Sequence, residues 1–265
     1  MKNGKVTLLS AGPGALDLLT LRAARVLGEA DVLLVDDLAN PEIATLAPQS
    51  RVIAVGKRGG CRSTPQAFIE RLMCRFARTG AHVVRVKGGD ALMFGRAGEE
   101  MSALRSAGVP VEIVNGVSAA FAAAAGLGMS LTHRDHCAGV TFVTAHRQDG
   151  SAPNWAALAA TGTTLAIYMG VNRVEALAET LMAHLDATTP AAAVQWAGTQ
   201  QERRLVTSLG RLAADVRAGA FASPAILLVG GAVSEAALTA PPQASGIVTG
   251  HASGDIAPDV IAQAA

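Results

Sequence analysis

The chain has 265 residues, half of them hydrophobic, with aromatics at only 3% and a net charge of +1. That length holds one large or two medium domains with ample core, and the near-neutral balance offers no basic field for nucleic acid. Alanine, valine and leucine must build the core, which suits strands flanked by helices. Cys61, Cys74 and Cys137 are odd in number and include no C-x-x-C pair. A disulfide framework or thiolate metal site is therefore not expected, and a reducing, cytoplasmic setting is. The apolar run at Val6–Leu9 is too short for a signal-peptide core. The tract Ala119–Met129 falls short of the ~20 residues a membrane span needs, so no membrane association is expected.

Val6–Ser10 reads as a short buried strand, followed by Ala11-Gly12-Pro13-Gly14 and a helix with Leu18, Leu19, Ala23, Val26 and Leu27 at helical spacing. The glycine loop is a poor dinucleotide fingerprint. It lacks the third glycine, and Pro13 removes a donor where a phosphate would want one. Nor does it end in G-K-[ST]. A second strand, Asp31–Val35, ends at Asp36-Asp37, and a third, Arg51–Val55, ends at Gly56-Lys57-Arg58. Phe68–Thr79 has the period of an amphipathic helix with a basic face of Arg71, Arg75 and Arg78. The fourth strand, Val83–Lys87, stops at Gly88-Gly89-Asp90, and helix follows over Ala97–Leu104. The fifth, Val111–Val114, runs into Asn115-Gly116-Val117-Ser118. Strands alternating with helices predict a parallel, doubly wound sheet, whose strand carboxyl ends share one edge. Gly12-Pro13-Gly14, Asp36, Lys57, Gly88-Gly89-Asp90 and Ser118 then converge there.

Ser118–Met129 reads as a small-residue helix packed closely on a neighbour. The polar stretch Leu131-Thr132-His133-Arg134-Asp135-His136 follows. Two histidines three apart raise a metal site, but no further ligand spacing supports one and none is expected. A turn, or a cationic clamp on ligand carboxylates, are the readings that remain. In the second half, Val140–Thr144, Thr164–Met169, Ala191–Trp196, Arg204–Ser208 and Ile226–Val229 read as strands, with helices at Arg173–His184 and Leu209–Arg217. The short link Ala197–Arg203 predicts an antiparallel hairpin and hence a mixed sheet. From Ser234 the chain is rich in Ala, Pro, Gly, Ser and Thr without periodicity, and a flexible tail is expected. The expected organisation is residues 1–115, residues 116–233 and a tail over 234–265.

Seven stretches together resemble the tetrapyrrole methylases: Ala11-Gly12-Pro13-Gly14; Val55-Gly56-Lys57-Arg58; Val84 to Asp90; Phe94-Gly95-Arg96 with Gly98-Glu99-Glu100; Leu131-Thr132-His133-Arg134-Asp135; Tyr168-Met169-Gly170; and Gly198-Thr199. The order agrees from Val6 to Val233. The resemblance implies two α/β domains, an N-terminal parallel doubly wound sheet and a C-terminal mixed sheet with helices, and usually a homodimer. S-adenosyl-L-methionine (SAM) would bind between them and leave as S-adenosyl-L-homocysteine (SAH). The implied activity is methylation of two ring carbons of uroporphyrinogen III, giving precorrin-2 for sirohaem or cobalamin. By the same resemblance Pro13, Gly88, Gly89, Asp90, Met93, Ser118, Ala119, Met169 and Gly198 line the SAM pocket. Asp36 is the implied proton acceptor and Lys57 the donor. Arg58, Arg62, His133, Arg134 and Arg147 are candidates for the carboxylates of the tetrapyrrole. A methylase acting on a later corrin intermediate and a nicotinamide-dependent reductase are the alternatives. The chain departs from the family pattern in three places. Ala91 follows G-G-D where proline is usual, Val35 and Asp37 flank Asp36 in place of Tyr and Arg, and Ser118 stands where Thr is common.

Overall fold

A computed structural model describes residues 4–56, 64–145, 147 and 149–237. Lys57, Arg58, Arg62 and Cys61 lie outside the described residues, as does the expected tail beyond 237. The first half forms a sheet of β1 (Lys5–Ser10), β2 (Val32–Val35), β3 (Arg51–Ala54), β4 (His82–Lys87) and β5 (Val111–Val114). All pairings are parallel, in the order β3-β2-β4-β1-β5. Helices α1 (Leu21–Gly28), α2 (Gln66–Arg78) and α3 (Ala97–Ser106) cover it.

Period-two alternation divides the buried side chains between two cores. Leu9, Leu33, Val84 and Val86 face α1 and a 3-10 turn over Pro41–Leu46. Val6, Leu8, Val32, Leu34 and Val83 face α2 and α3, where Ile69, Met73 and Leu104 meet them. The same alternation puts Arg85 and Lys87 on the second of these faces, at 3% and 4% exposure.

The second sheet contains β6 (Val140–Thr144), β7 (Thr164–Tyr168), β8 (Pro190–Gln195), β9 (Arg203–Ser208) and β10 (Ala225–Val229), ordered β6-β7-β10-β8-β9. The β6–β7 pair is parallel and the others are antiparallel, so the sheet is mixed and β8–β9 is the expected hairpin. One face packs on α5 (Trp155–Ala160), α6 (Val174–Met182) and α7 (Leu209–Ala218), through Leu177, Leu181, Leu212 and Val216. The other face, with Ala166, Ala192 and Val194, receives α4 (Ala119–Gly126), whose Ala120, Ala123 and Ala124 are buried. Alanine meeting alanine permits close approach, which is how so few aromatics fill two cores.

α5, at six residues, is too short to show helical periodicity; its signal is Asn154, whose Oδ1 accepts from Ala157 N at 3.1 Å. Ser234 and Glu235, placed in the tail by composition, belong to a 3-10 turn over Gly231–Glu235. His136 Nε2 to Glu235 Oε1, 2.7 Å apart, fastens that turn to the body. Cys74 and Cys137 are free thiols, and no helix is long and apolar enough to cross a membrane among the described residues.

At the end of β1, fully buried Ser10 accepts the Ala91 N–H on Oγ at 2.8 Å. Proline at 91 would have no N–H to give. Ser10→Ala leaves a buried amide unpaired and is expected to cost about 1–3 kcal/mol. Urea unfolding measures the loss; a midpoint equal to that of the unaltered chain would mean the bond adds nothing.

Candidate active site

A cavity of about 510 Å³ opens at the carboxyl ends of β1, β2 and β4, against the ends of β7 and β8 and the start of β10. Because β10 runs antiparallel to β7 and β8, its first residues reach the same edge as their last. Two backbone loops form the wall. Gly12 N donates to Gly89 O at 3.1 Å, and Gly89 N to Gly12 O at 2.6 Å. Both glycines have positive φ, +72° and +67°, a conformation that costs an L side chain about 1–2 kcal/mol. These amides consume one another, and Pro13 has none. The loop has no cluster of free N–H groups for a phosphate.

Asp90 hangs from this bridge. Its Oδ1 accepts Leu92 N at 2.8 Å and its Oδ2 accepts Gly116 N at 3.0 Å, which ties the β4 loop to the β5 loop. A carboxylate retains further lone pairs after two such bonds, so Asp90 both fastens the loops and keeps acceptor capacity facing the cavity. Met93 and Met169 supply adaptable apolar wall beside it.

A buried charge network lies under the floor. Glu100 of α3, fully buried, accepts Arg85 Nε on Oε1 at 3.2 Å and Lys87 Nζ on Oε2 at 3.0 Å. Gln66 of α2 also donates to Oε1 at 3.1 Å. Arg85 extends on to Asp36 Oδ2 at 2.9 Å, and Asp36 Oδ1 accepts the Asp37 N–H. One carboxylate from a helix thus fixes two cations of a strand, and one of them fixes the acid at the end of the next strand. Burial and the neighbouring Arg85 push the Lys87 ammonium below its ordinary 10.5, against the pull of Glu100 and Asp36.

Backbone strain gathers at the rim. Phe94, Arg96, Met169 and Trp196 all line the cavity, and all have positive φ, between 53° and 59°. Of the non-glycine residues with positive φ, just one further, Ala220, lies elsewhere among the described residues. Such strain concentrates where surrounding structure holds residues in a functional position. Across the rim the Phe94 and Tyr168 rings pack with centroids 4.9 Å apart. Arg96 reaches the mouth with its guanidinium on Glu99, at 2.9 and 2.5 Å. That pair raises the Arg96 pKa and lowers that of Glu99.

The cavity brings together Pro13, Asp36, Gly88, Gly89, Asp90 and Met93 with Ser118, Ala119 and Met169. Gly198 does not line it. This glycine sits behind Pro13, where an added Cβ would come within 2.7 Å of the proline ring, and its carbonyl accepts Ala15 N at 2.9 Å. His133, Arg134 and Arg147 are not among the residues that line this cavity. His133 stacks on His136 at 5.1 Å, and His136 turns toward Glu235, so this loop serves the C-terminal turn. Arg147 lies in an exposed turn after β6, its amide bonded to Ser151 O. No group of three or more metal-ligating side chains occurs among the described residues. The sequence reading missed Arg85, Lys87, Glu100, Arg96 and Tyr168. Alternation along β4 identifies the first two, provided both faces of the strand are known to be covered.

A parallel sheet and a mixed sheet meeting at a cleft without a phosphate cradle are features of a methylase class. The family model for tetrapyrrole (corrin/porphyrin) methylases matches residues 5–213, and the chain belongs to that family. It is 51% identical over 229 residues to a uroporphyrinogen-III C-methyltransferase of Pseudomonas aeruginosa, an alignment covering 86% of this chain and 94% of the relative. Among solved structures, uroporphyrin-III C-methyl transferase from Thermus thermophilus complexed with S-adenyl homocysteine aligns with a TM-score of 0.75 at 37% identity, covering 87% of this chain and 99% of that one. A cobalt precorrin-4 methyltransferase of cobalamin biosynthesis aligns at 0.78 with 28% identity, covering 86% and 95%.

The lowered Lys87 pKa has a sign that can be measured. Its folded value lies below its unfolded one, so between the two the unfolded chain binds the extra proton and native stability rises with pH. The stability of the unaltered chain relative to Lys87→Met should therefore increase as pH climbs toward 10.5. Urea melts at stepped pH read this directly, and a pH-independent difference would remove the shift.

Proposed function

We propose that the chain transfers methyl groups from SAM to two ring carbons of uroporphyrinogen III, giving precorrin-2. The observation that carries this reading is the Gly12–Gly89 bridge beside Pro13. It consumes the Gly12 and Gly89 amides that a phosphate would want, next to acceptor lone pairs on Asp90, a hydroxyl on Ser118 and two methionines. A nucleoside bearing a sulfonium and no phosphate fits that set of groups, and the cavity falls in the ordinary range for small-molecule sites. A nicotinamide dinucleotide needs its pyrophosphate held, and this loop has nothing to hold it. Two of the relatives named above, from Pseudomonas aeruginosa and Thermus thermophilus, carry C-methyl transfer to uroporphyrinogen or uroporphyrin III in their names.

When bound, SAM supplies an electrophilic methyl group. The protein's part is largely orientation, which alone is able to lower a barrier by several kcal/mol. Pro13, Gly88, Gly89, Asp90, Met93, Ser118, Ala119 and Met169 hold the donor against the first sheet's edge, and Gly198 backs Pro13. Arg96 at the mouth receives a carboxylate of the macrocycle, with Arg58 and Arg62 as further contacts outside the described residues. Asp36 is the proton acceptor after transfer. Its carboxylate is one-third exposed, and Arg85 holds it in place from beneath. Lys57, by family resemblance, is the donor. In this reading the protein is a cytoplasmic homodimer that binds no nucleic acid, with its cleft between residues 1–115 and 116–233.

Incubation of the chain with SAM and uroporphyrinogen III should yield a methylated product; absence of turnover with active substrate overturns the reading. Asp36→Asn should lower turnover by about 10²- to 10⁴-fold while SAH still binds, and normal turnover would take the proton role from Asp36. Asp90→Ala removes two backbone bonds as well as a ligand acceptor. It should abolish SAH binding and lower stability by about 1.5–3 kcal/mol, the value of bonds to a charged group. Calorimetry and thermal unfolding follow the two effects separately.

A further inference from the structure

Tyr168 is the single tyrosine of the chain, and it has no part in the chemistry above. It ends β7 on the sheet face that carries α4, and its hydroxyl meets the start of that helix. Ser118 occupies the position before α4, where a hydroxyl ordinarily accepts from the first turn. Its side chain makes no such bond. The phenol takes that place: Ala120 N donates to Tyr168 Oη at 3.2 Å, and Ser118 Oγ lies 2.7 Å from the same oxygen.

Tyr168 has one proton to give, and its oxygen already faces the Ala120 N–H as an acceptor. Among the described residues the hydrogen-bond acceptor available to the phenolic proton is Ser118 Oγ. Either hydroxyl of the pair is able to donate; with Tyr168 as donor, the Ser118 proton is left for the cavity, which Ser118 lines. The ring is steadied from the opposite side of the cleft by Phe94. Burial raises the Tyr168 pKa, opposed by its hydrogen bonds with Ser118 and Ala120 and reinforced by Asp90, so the phenol keeps its proton.

We infer that Tyr168 donates to Ser118 Oγ and is thereby a positioning residue that turns the Ser118 hydroxyl into a directed hydrogen-bond donor for an oxygen or nitrogen acceptor on the bound nucleoside. The inference rests on the reading of the cavity as a SAM site. It assigns one hydroxyl two partners from different elements: a phenol behind it and a ligand in front.

The experiment is calorimetric titration of SAH into the unaltered chain and into Tyr168→Phe, Ser118→Ala, Ser118→Thr and the Tyr168→Phe/Ser118→Ala double variant. Tyr168→Phe keeps the ring against Phe94 and removes the hydroxyl alone. It and Ser118→Ala should each weaken SAH roughly three- to tenfold, the value of one net hydrogen bond. The double variant should bind no worse than Ser118→Ala, because the two act as a unit. Ser118→Thr, which keeps a hydroxyl, should retain binding. Undiminished affinity in Tyr168→Phe, or losses that add in the double variant, would overturn the inference. If the unaltered chain takes up no SAH, the reading of the cavity itself falls, and that result is distinct from a Tyr168 variant that binds normally.

Discussion

Two peptide groups facing each other determine the site. The reciprocal bonds between Gly12 and Gly89 join the turn after β1 to the turn after β4, and neighbouring features follow from that contact. Each turn contributes a glycine in the left-handed region, the backbone shape in which the two amides face each other. Gly88 continues the same requirement: a Cβ there would stand 2.7 Å from Leu38. Once the loops are joined, Asp90 lies where it takes an amide from the β5 turn, and Ala91 reaches Ser10. The chemistry excluded by the bridge matters as much as what it holds, because a loop whose amides are consumed by its neighbour offers no cradle for phosphate.

Beneath that bridge the first sheet carries charge where a parallel sheet usually carries only aliphatics. Arg85 and Lys87 occupy alternate positions on the face toward α2 and α3, and Glu100 accepts from both. Buried ion pairs contribute little net stability when compared with apolar residues of the same volume, whereas removing one partner is severe. Their use here is geometric. Three elements, β2, β4 and α3, are keyed to one another through side chains at the edge where the cavity opens. The Asp36 carboxylate is thereby held from behind while its exposed side remains available.

Much of the architecture is legible from the residues themselves. β-branched runs ending at glycine pairs and lone acids marked the strand ends, and α/β alternation fixed which ends shared an edge. The link after Trp196 announced the only antiparallel hairpin visible by length. What escaped is non-local. Val83 to Lys87 reads along the chain as an aliphatic run with two charges near its end, and only the second covered face shows that those charges are inside. Glu100 looks like one of two helix carboxylates until Arg85 and Lys87 are seen on it, while Glu99 beside it goes to Arg96. Tyr168 reads as an ordinary strand residue because its partner lies fifty positions earlier in sequence. His133 and Arg134 lie in a dense polar stretch between apolar segments, which has the look of a ligand clamp. In the fold it stacks on itself and engages the C-terminal turn.

The alanines between α4 and the second sheet carry one further consequence. Ala120, Ala123 and Ala124 meet Ala166 and Ala192 beneath the part of the site that begins at Ser118. A methyl group has no rotamers to lose, so this contact brings no side-chain torsional freedom to be frozen when a guest arrives. The wall on that side is as ordered before docking as after it, and its entropy is settled during folding rather than during each turnover.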